Sequence, residues 1–246
     1  MDEWSSELGI NSPWMNVAGF AGFLPQNDIS LSKPMGAFVT NPISAQPRSP
    51  ARDRSVKPYA GGFLLHTGYP NAGLKRVLQE YASKWRRLPL PVWVHLLAEE
   101  GRELQQMVRT LEGIENVEAV ELGLPPGLDD KEQVHLIASA RGELPLFVYL
   151  PLDNLKPAVL EKLADLGASG LVISAPRGIM MKGRKAIHGR LYGPALHPQL
   201  LSALRDLRGY GLPVLAGCGI FSVEQGEAAL DCGAAAVQVD GWCWKF

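Results

Sequence analysis

Three stretches near the C-terminal end constrain the fold of this chain more than any other feature. Gly189-Arg190-Leu191-Tyr192-Gly193-Pro194-Ala195 is a glycine-bracketed loop. Leu212-Pro213-Val214-Leu215-Ala216-Gly217-Cys218-Gly219-Ile220 is an apolar run ending in a glycine turn, and Gly233-Ala234-Ala235-Ala236-Val237-Gln238-Val239 is a second apolar run. Between the two runs, Ser222 with Glu224 and Gln225 has the composition of a helix N-cap and first turn, and Gly233 sits where a helix C-terminal glycine belongs. Glycine loop, strand, helix and strand in this order match the C-terminal rim of a β/α barrel, where backbone N–H groups converge on an anion. One residue contradicts that use. Asp240 follows the second run, and places a carboxylate where the anion would sit.

The rest of the chain fits the same architecture. Short apolar runs at 14–18, 37–40, 92–97, 117–122, 146–150, 170–174, 214–216 and 236–239 make eight candidate strands. They are apolar throughout rather than alternating, as expected of parallel strands buried on both faces. Helical stripes lie between the later ones: Leu104, Val108 and Leu111; Leu155, Val159, Leu160 and Leu163; Leu200, Leu201, Leu204 and Leu207. Gly167 sits, like Gly233, at a helix end. At 246 residues, 46% hydrophobic and 20% charged, the chain has the size of one α/β barrel domain, 1–246. A (β/α)8 barrel, shortened at its final helix, is the predicted fold, with an open doubly wound sheet as the alternative.

Two segments read as irregular. Residues 46–59, rich in Pro, Arg and Ser, are expected as a long rim loop. Residues 176–192, with Arg177, Lys182, Arg184, Lys185, His188 and Arg190, are expected as a basic loop, either solvated or covering an acidic ligand. A formal charge of −1 gives no electrostatic case for nucleic acid or an anionic membrane. Cys218, Cys232 and Cys243 are odd in number and lack metal-ligand spacing, and the acidic start Met1-Asp2-Glu3-Trp4 has no apolar signal core. A soluble cytoplasmic protein without a metal is the expectation. After the eighth run only Gly241-Trp242-Cys243-Trp244-Lys245-Phe246 remain, too few for a closing helix. The expectation is that this aromatic tail, an N-terminal segment, a partner protein or a second copy covers the barrel there.

The motifs, in order, resemble the dihydroorotate dehydrogenases, FMN-dependent (β/α)8 barrels of pyrimidine biosynthesis. Ser12-Pro13-Trp14-Met15-Asn16-Val17-Ala18-Gly19 resembles the first-strand motif that runs against the flavin. Gly36-Ala37-Phe38-Val39-Thr40 resembles the second strand. Gly62-Phe63-Leu64 and Gly68-Tyr69-Pro70-Asn71-Ala72-Gly73 resemble the loop and helix start that follow. The resemblance spans nearly the whole chain and implies an FMN oxidoreductase. Its cofactor contacts would be Ala18, Gly19, Thr40, Asn41, Tyr149, Gly193, Cys218, Gly219 and Gly241.

The residues that carry the family's chemistry are replaced. The lysine after the second-strand threonine is Asn41, and the fifth-strand lysine is Tyr149; neither supplies charge to a reduced flavin. The substrate asparagines fall on Leu65 and Ser174. The base that removes the C5 proton falls in Pro125-Pro126, which has no group to accept one. His66 and His95 are the substitute bases to consider, although His95 also suits a hydrogen-bonded barrel interior. Glu121 reads as structural, and the Cys218 thiol as incidental to a turn that needs a small residue. Three readings follow: an FMN barrel with impaired or no catalysis, a structural or regulatory subunit, and a barrel that binds a phosphorylated metabolite without redox chemistry.

Overall fold

The computed structural model describes residues 8–25 and 33–240. Among these, twelve strands divide between two sheets. In chain order they are β1 (Trp14–Asn16), β2 (Phe38–Val39), β3 (Ser55–Tyr59), β4 (Gly62–His66), β5 (Val92–Leu97), β6 (Val117–Gly123), β7 (Leu146–Pro151), β8 (Gly170–Ser174), β9 (Arg177–Lys182), β10 (Lys185–Tyr192), β11 (Val214–Gly217) and β12 (Ala236–Val239). The helices are α1 (Leu74–Trp85), α2 (Gly101–Glu112), α3 (Asp130–Ser139), α4 (Pro157–Leu160), α5 (His197–Leu207) and α6 (Val223–Asp231).

Eight strands form one parallel sheet in the order β1, β12, β11, β8, β7, β6, β5, β2. A parallel bridge between Met15 and Ala37 brings β1 back to β2 and closes the ring. The seam is short of backbone ladder, and the buried Asn16 amide supplies the missing bonds. Its Nδ2 donates to Val39 O at 2.6 Å, and its Oδ1 accepts from Val39 N at 2.9 Å. All eight apolar runs are strands of this barrel.

Two cores result. Inside the ring, Met15, Val39, Val172 and Leu215 pack around Trp93 and Phe147, whose rings stack at 4.2 Å. The interior is a filled core, as small barrels require, and no pore remains at that level. Outside, α2 buries Leu104, Met107, Val108 and Leu111, and α5 buries Leu200, Leu204 and Leu207 against the strands. Each fully buried side chain of this size contributes about 1.5–3 kcal/mol. The Ser222 hydroxyl accepts from Gln225 N and caps α6, and Gly233 takes φ +99° where the helix ends. Gly167, at φ +84°, follows the same rule.

The stripe from Leu155 to Leu163 is buried at Val159, Leu160 and Leu163, yet only one helical turn forms. Beyond it, Lys162 N and Leu163 N bond three residues back, to Val159 O and Leu160 O, so the segment winds as successive turns.

Of the two segments expected as loops, 176–192 is almost entirely strand, while 46–59 is irregular until β3 begins at Ser55. A separate antiparallel sheet runs β3, β4, β10, β9 over the mouth of the barrel. Tyr59 pairs with Gly62 and Lys182 with Lys185, which leaves two-residue turns at Ala60-Gly61 and Gly183-Arg184. Gly61 (φ +89°) and Gly183 (φ +60°) supply the left-handed backbone that such turns need. Lys182 and Lys185 are exposed at the β9–β10 turn, and their charge makes these strands look like solvated loop by composition. No helix among the described residues is long and apolar enough to cross a membrane.

Candidate functional site

A polar chain crosses the interior just above the Trp93–Phe147 layer. His95 on β5 and Glu121 on β6 sit side by side in register, with Nδ1 and Oε1 2.5 Å apart. Gln238 on β12 reaches across the barrel and donates from Nε2 to Glu121 Oε2 at 2.5 Å. The Thr40 hydroxyl accepts from His95 N at 3.1 Å. All four residues are buried, and Gly123 leaves the space beside His95 Nε2 that a Cβ would fill, at 2.5 Å. His95 is therefore locked in the core, as the hydrogen-bonded alternative anticipated.

Above this chain the mouth is filled by Tyr149 and Arg190. Tyr149 meets the His95 ring edge-on at 4.8 Å, and the Arg190 guanidinium lies over the Tyr149 ring at 5.3 Å. Burial pushes the Tyr149 hydroxyl well above its ordinary value, so it stays neutral. Arg190, only 6% exposed, enters from β10 and donates to the Tyr69 hydroxyl (2.6 Å), the Ser174 hydroxyl (3.2 Å) and Ala175 O (2.7 Å). Burial works against its charge, but Tyr69, Tyr149 and Tyr192 around it outweigh that, and it remains a cation.

The glycine-rich end does not form one convergent grip. Gly193 (φ +151°) faces the β3–β4 turn so closely that a Cβ would come 2.1 Å from Gly61 O. Its glycine serves that backbone crossing. Gly219 (φ +69°) faces the start of α5, where a Cβ would come 2.8 Å from His197 N. The Gly219 N–H donates to Asp240 Oδ2 at 3.0 Å, and Asp240 N donates to Ile220 O at 2.9 Å. Asp240 is fully buried, and its Oδ1 has no hydrogen-bond partner. Burial raises its carboxyl well above the ordinary range, against the amides of Gly219 and Ile220, which favour the anion. Cys218 is buried beneath it, and burial followed by the Asp240 charge pushes the thiol up.

The other residues singled out in the sequence fall around this centre. Ala18 lies in the inner core and Gly19 (φ +99°) at the turn above it. Asn41 faces the β1–β2 connection: its Oδ1 accepts from Gly22 N at 3.0 Å and its backbone N–H donates to Gly22 O. Gly241, Cys243 and the aromatic tail lie outside the described residues. Leu65, His66, Pro125 and Pro126 do come together, in a cavity of about 200 Å³ between the sheet over the mouth and the C-terminal ends of β5 and β6. Arg48, Glu99, Arg177 and Arg190 line the same cavity. Arg190 is one of the six basic residues of 176–192, the segment expected either as solvated or as covering an acidic ligand. Spacing gives no cue to it, because Ile187 on one face of β10 and Tyr192 on the other are both buried.

No protein-family model matches the chain. Among curated proteins it is 28% identical over 255 residues to the dihydroorotate dehydrogenase B (NAD(+)), catalytic subunit, of Pelobacter propionicus, across 94% of this chain and 84% of that one. It is 26% identical over 254 residues to a putative dihydroorotate dehydrogenase A (fumarate) of Aeropyrum pernix, across 94% and 82%. Among solved structures, a FabK mutant from Thermotoga maritima superposes with a TM-score of 0.53 at 13% identity, over 97% of this chain and 64% of that one. An oxidized active mutant of (S)-mandelate dehydrogenase gives 0.51 at 16% identity, over 94% and 67%. The structural likenesses bear on fold alone, and the fold is a (β/α)8 barrel. In sequence the chain is dihydroorotate-dehydrogenase-like over nearly its whole length.

Proposed function

We propose that this chain is a dihydroorotate-dehydrogenase-like barrel that does not oxidise dihydroorotate and does not hold FMN. The observation that carries the reading is Asp240. Its buried carboxylate takes the Gly219 N–H at 3.0 Å, the donor that a flavin phosphate would need at this rim. A phosphate brought to that point would find the Gly219 N–H already taken and an Asp240 oxygen in its way, and would be repelled wherever that carboxyl is ionised. The ring end fits no better. Asn41 turns to Gly22, and Tyr149 with Arg190 occupies the mouth above His95. The residues present therefore do not suit FMN.

Among the described residues, the position that the resemblance gives to the base carries no group able to take the substrate's proton. Pro125 and Pro126 line the cavity where the resemblance puts the base. His95 is committed to Glu121 and cannot approach a ligand without leaving the core. His66 lines the cavity, half-buried, and no hydrogen bond among the described residues orients its ring; Glu99 lines the same cavity but pairs with Arg48. Fold without these groups does not bring the activity with it.

The name "catalytic subunit" borne by the first of these relatives supports reading the barrel as one component of an assembly. A protein partner or a second copy, in a cytoplasmic setting, belongs to the same proposal. Purified protein supplied with FMN and either NAD or fumarate, the acceptors in the relatives' names, is expected to oxidise dihydroorotate no faster than the same mixture without protein. Turnover above that background, proportional to protein concentration, overturns the reading.

A further inference from the structure

Arg177 and Arg190 are directly opposite each other on β9 and β10, so both side chains leave the same face of the sheet. Both line the cavity above the ends of β5 and β6. The partners of Arg190 are two hydroxyls and a carbonyl, all neutral, and Arg177 donates to Leu124 O at 3.4 Å. Neither guanidinium forms an ion pair among the described residues. One carboxylate lines the cavity, Glu99, and it pairs at 3.5 Å with Arg48 at the exposed rim. Asp153 lies behind Arg177 and accepts its backbone N–H at 3.1 Å.

Three arginines against one glutamate leave an excess of two positive charges on the cavity wall. Like charges held together out of water repel, and a built structure keeps them when an anion completes the site. Burial first, and then the Arg190 charge, lower Arg177 from its ordinary value. Guanidinium forks suit oxyanions of phosphate or carboxylate geometry. The remaining wall is apolar, with Leu97, Leu124, Pro125 and Pro126. A volume of about 200 Å³ is below the ~300–1,000 Å³ of pockets for drug-sized ligands, and admits a compact molecule.

We propose that Arg177 and Arg190 form a binding site for a small organic dianion, a phosphate monoester or a dicarboxylate, whose short carbon body rests on Leu124 and the two prolines. The site goes beyond the non-redox reading and stands on the arginine pair whichever way that reading falls.

The test is thermal unfolding and calorimetric titration at constant ionic strength, with glycerol 3-phosphate and succinate as the dianions and acetate as the monoanion. At least one dianion raises the melting temperature while acetate does not. Response to glycerol 3-phosphate alone assigns phosphate esters, and response to succinate alone assigns dicarboxylates. Arg177→Gln, on an edge strand, weakens that binding about tenfold or more, the loss of one charge-assisted contact. Arg109→Gln, on the exposed face of α2, binds as the parent does. No shift with either dianion, or equal binding by parent and Arg177→Gln, overturns the site. FMN retained through gel filtration overturns the non-flavin reading alone, because the Arg177→Gln comparison with the responding dianion is read separately.

Discussion

Replacing His95 by leucine is expected to lower the stability of the protein by about 3–5 kcal/mol, the cost of removing one partner from a buried ionisable pair. In the parent, Glu121 is held by His95 on one oxygen and by Gln238 on the other, with no water-facing surface. The leucine variant leaves one carboxylate oxygen in the barrel interior without a partner. For a chain of this length the loss corresponds to a fall of about 6–20 °C in the melting temperature, read by circular dichroism. The double variant His95→Leu, Glu121→Leu removes the stranded group and is expected to recover much of the loss, since apolar replacement of a whole buried pair is often close to neutral. A His95→Leu protein as stable as the parent would mean that the histidine is not the structural element its contacts make it.

Asp240→Asn is expected to stabilise the protein at neutral pH by about 1–3 kcal/mol, because a neutral amide replaces a carboxyl whose ionised form is costly to bury. The sign follows from the raised carboxyl. Its folded value lies above the ordinary 3.8, so the native state holds a proton that the unfolded chain has lost. Stability is therefore greatest with respect to this group below the ordinary value. It falls as pH rises through the window up to the folded value, and is flat above it. The asparagine keeps an oxygen for the Gly219 N–H and carries no charge to bury. Urea unfolding from acid to neutral pH should show the parent losing stability across that window relative to Asp240→Asn. Parallel pH profiles for the two proteins, or a less stable variant at neutral pH, would show that the carboxylate is tolerated without cost.

What could be read from the sequence follows from what burial does to a strand. The barrel strands lie between the inner core and the helices, so selection for apolar side chains acts on both faces and the runs stand out. The sheet over the mouth buries only scattered positions, Leu64 and Ile187 on one face and Phe63, Arg190 and Tyr192 on the other. Exposed Lys182 and Lys185 stand beside them, and the resulting mixture looks like a loop. The glycine turns at Gly61 and Gly183 were the available signal, and the charge around them outweighed it. The same limit applied to the site. Gly193 and Gly219 were recognisable as positions needing glycine, but sequence alone did not reveal the atoms that crowd them. Gly61 O lies against one, and His197 N with the Asp240 carboxylate against the other. Arg190 sat among five other basic residues with nothing in spacing to mark it as buried. Only the pairing of β10 with β4 and β9 turns that side chain toward Ser174 and Tyr149.

The most direct measurement is the visible absorption spectrum of the purified protein after incubation with excess FMN and gel filtration. A barrel whose rim donor is already held by Asp240 and whose mouth is filled by Tyr149 and Arg190 leaves the protein fraction colourless. A flavin band eluting with the protein at about one FMN per chain would contradict that.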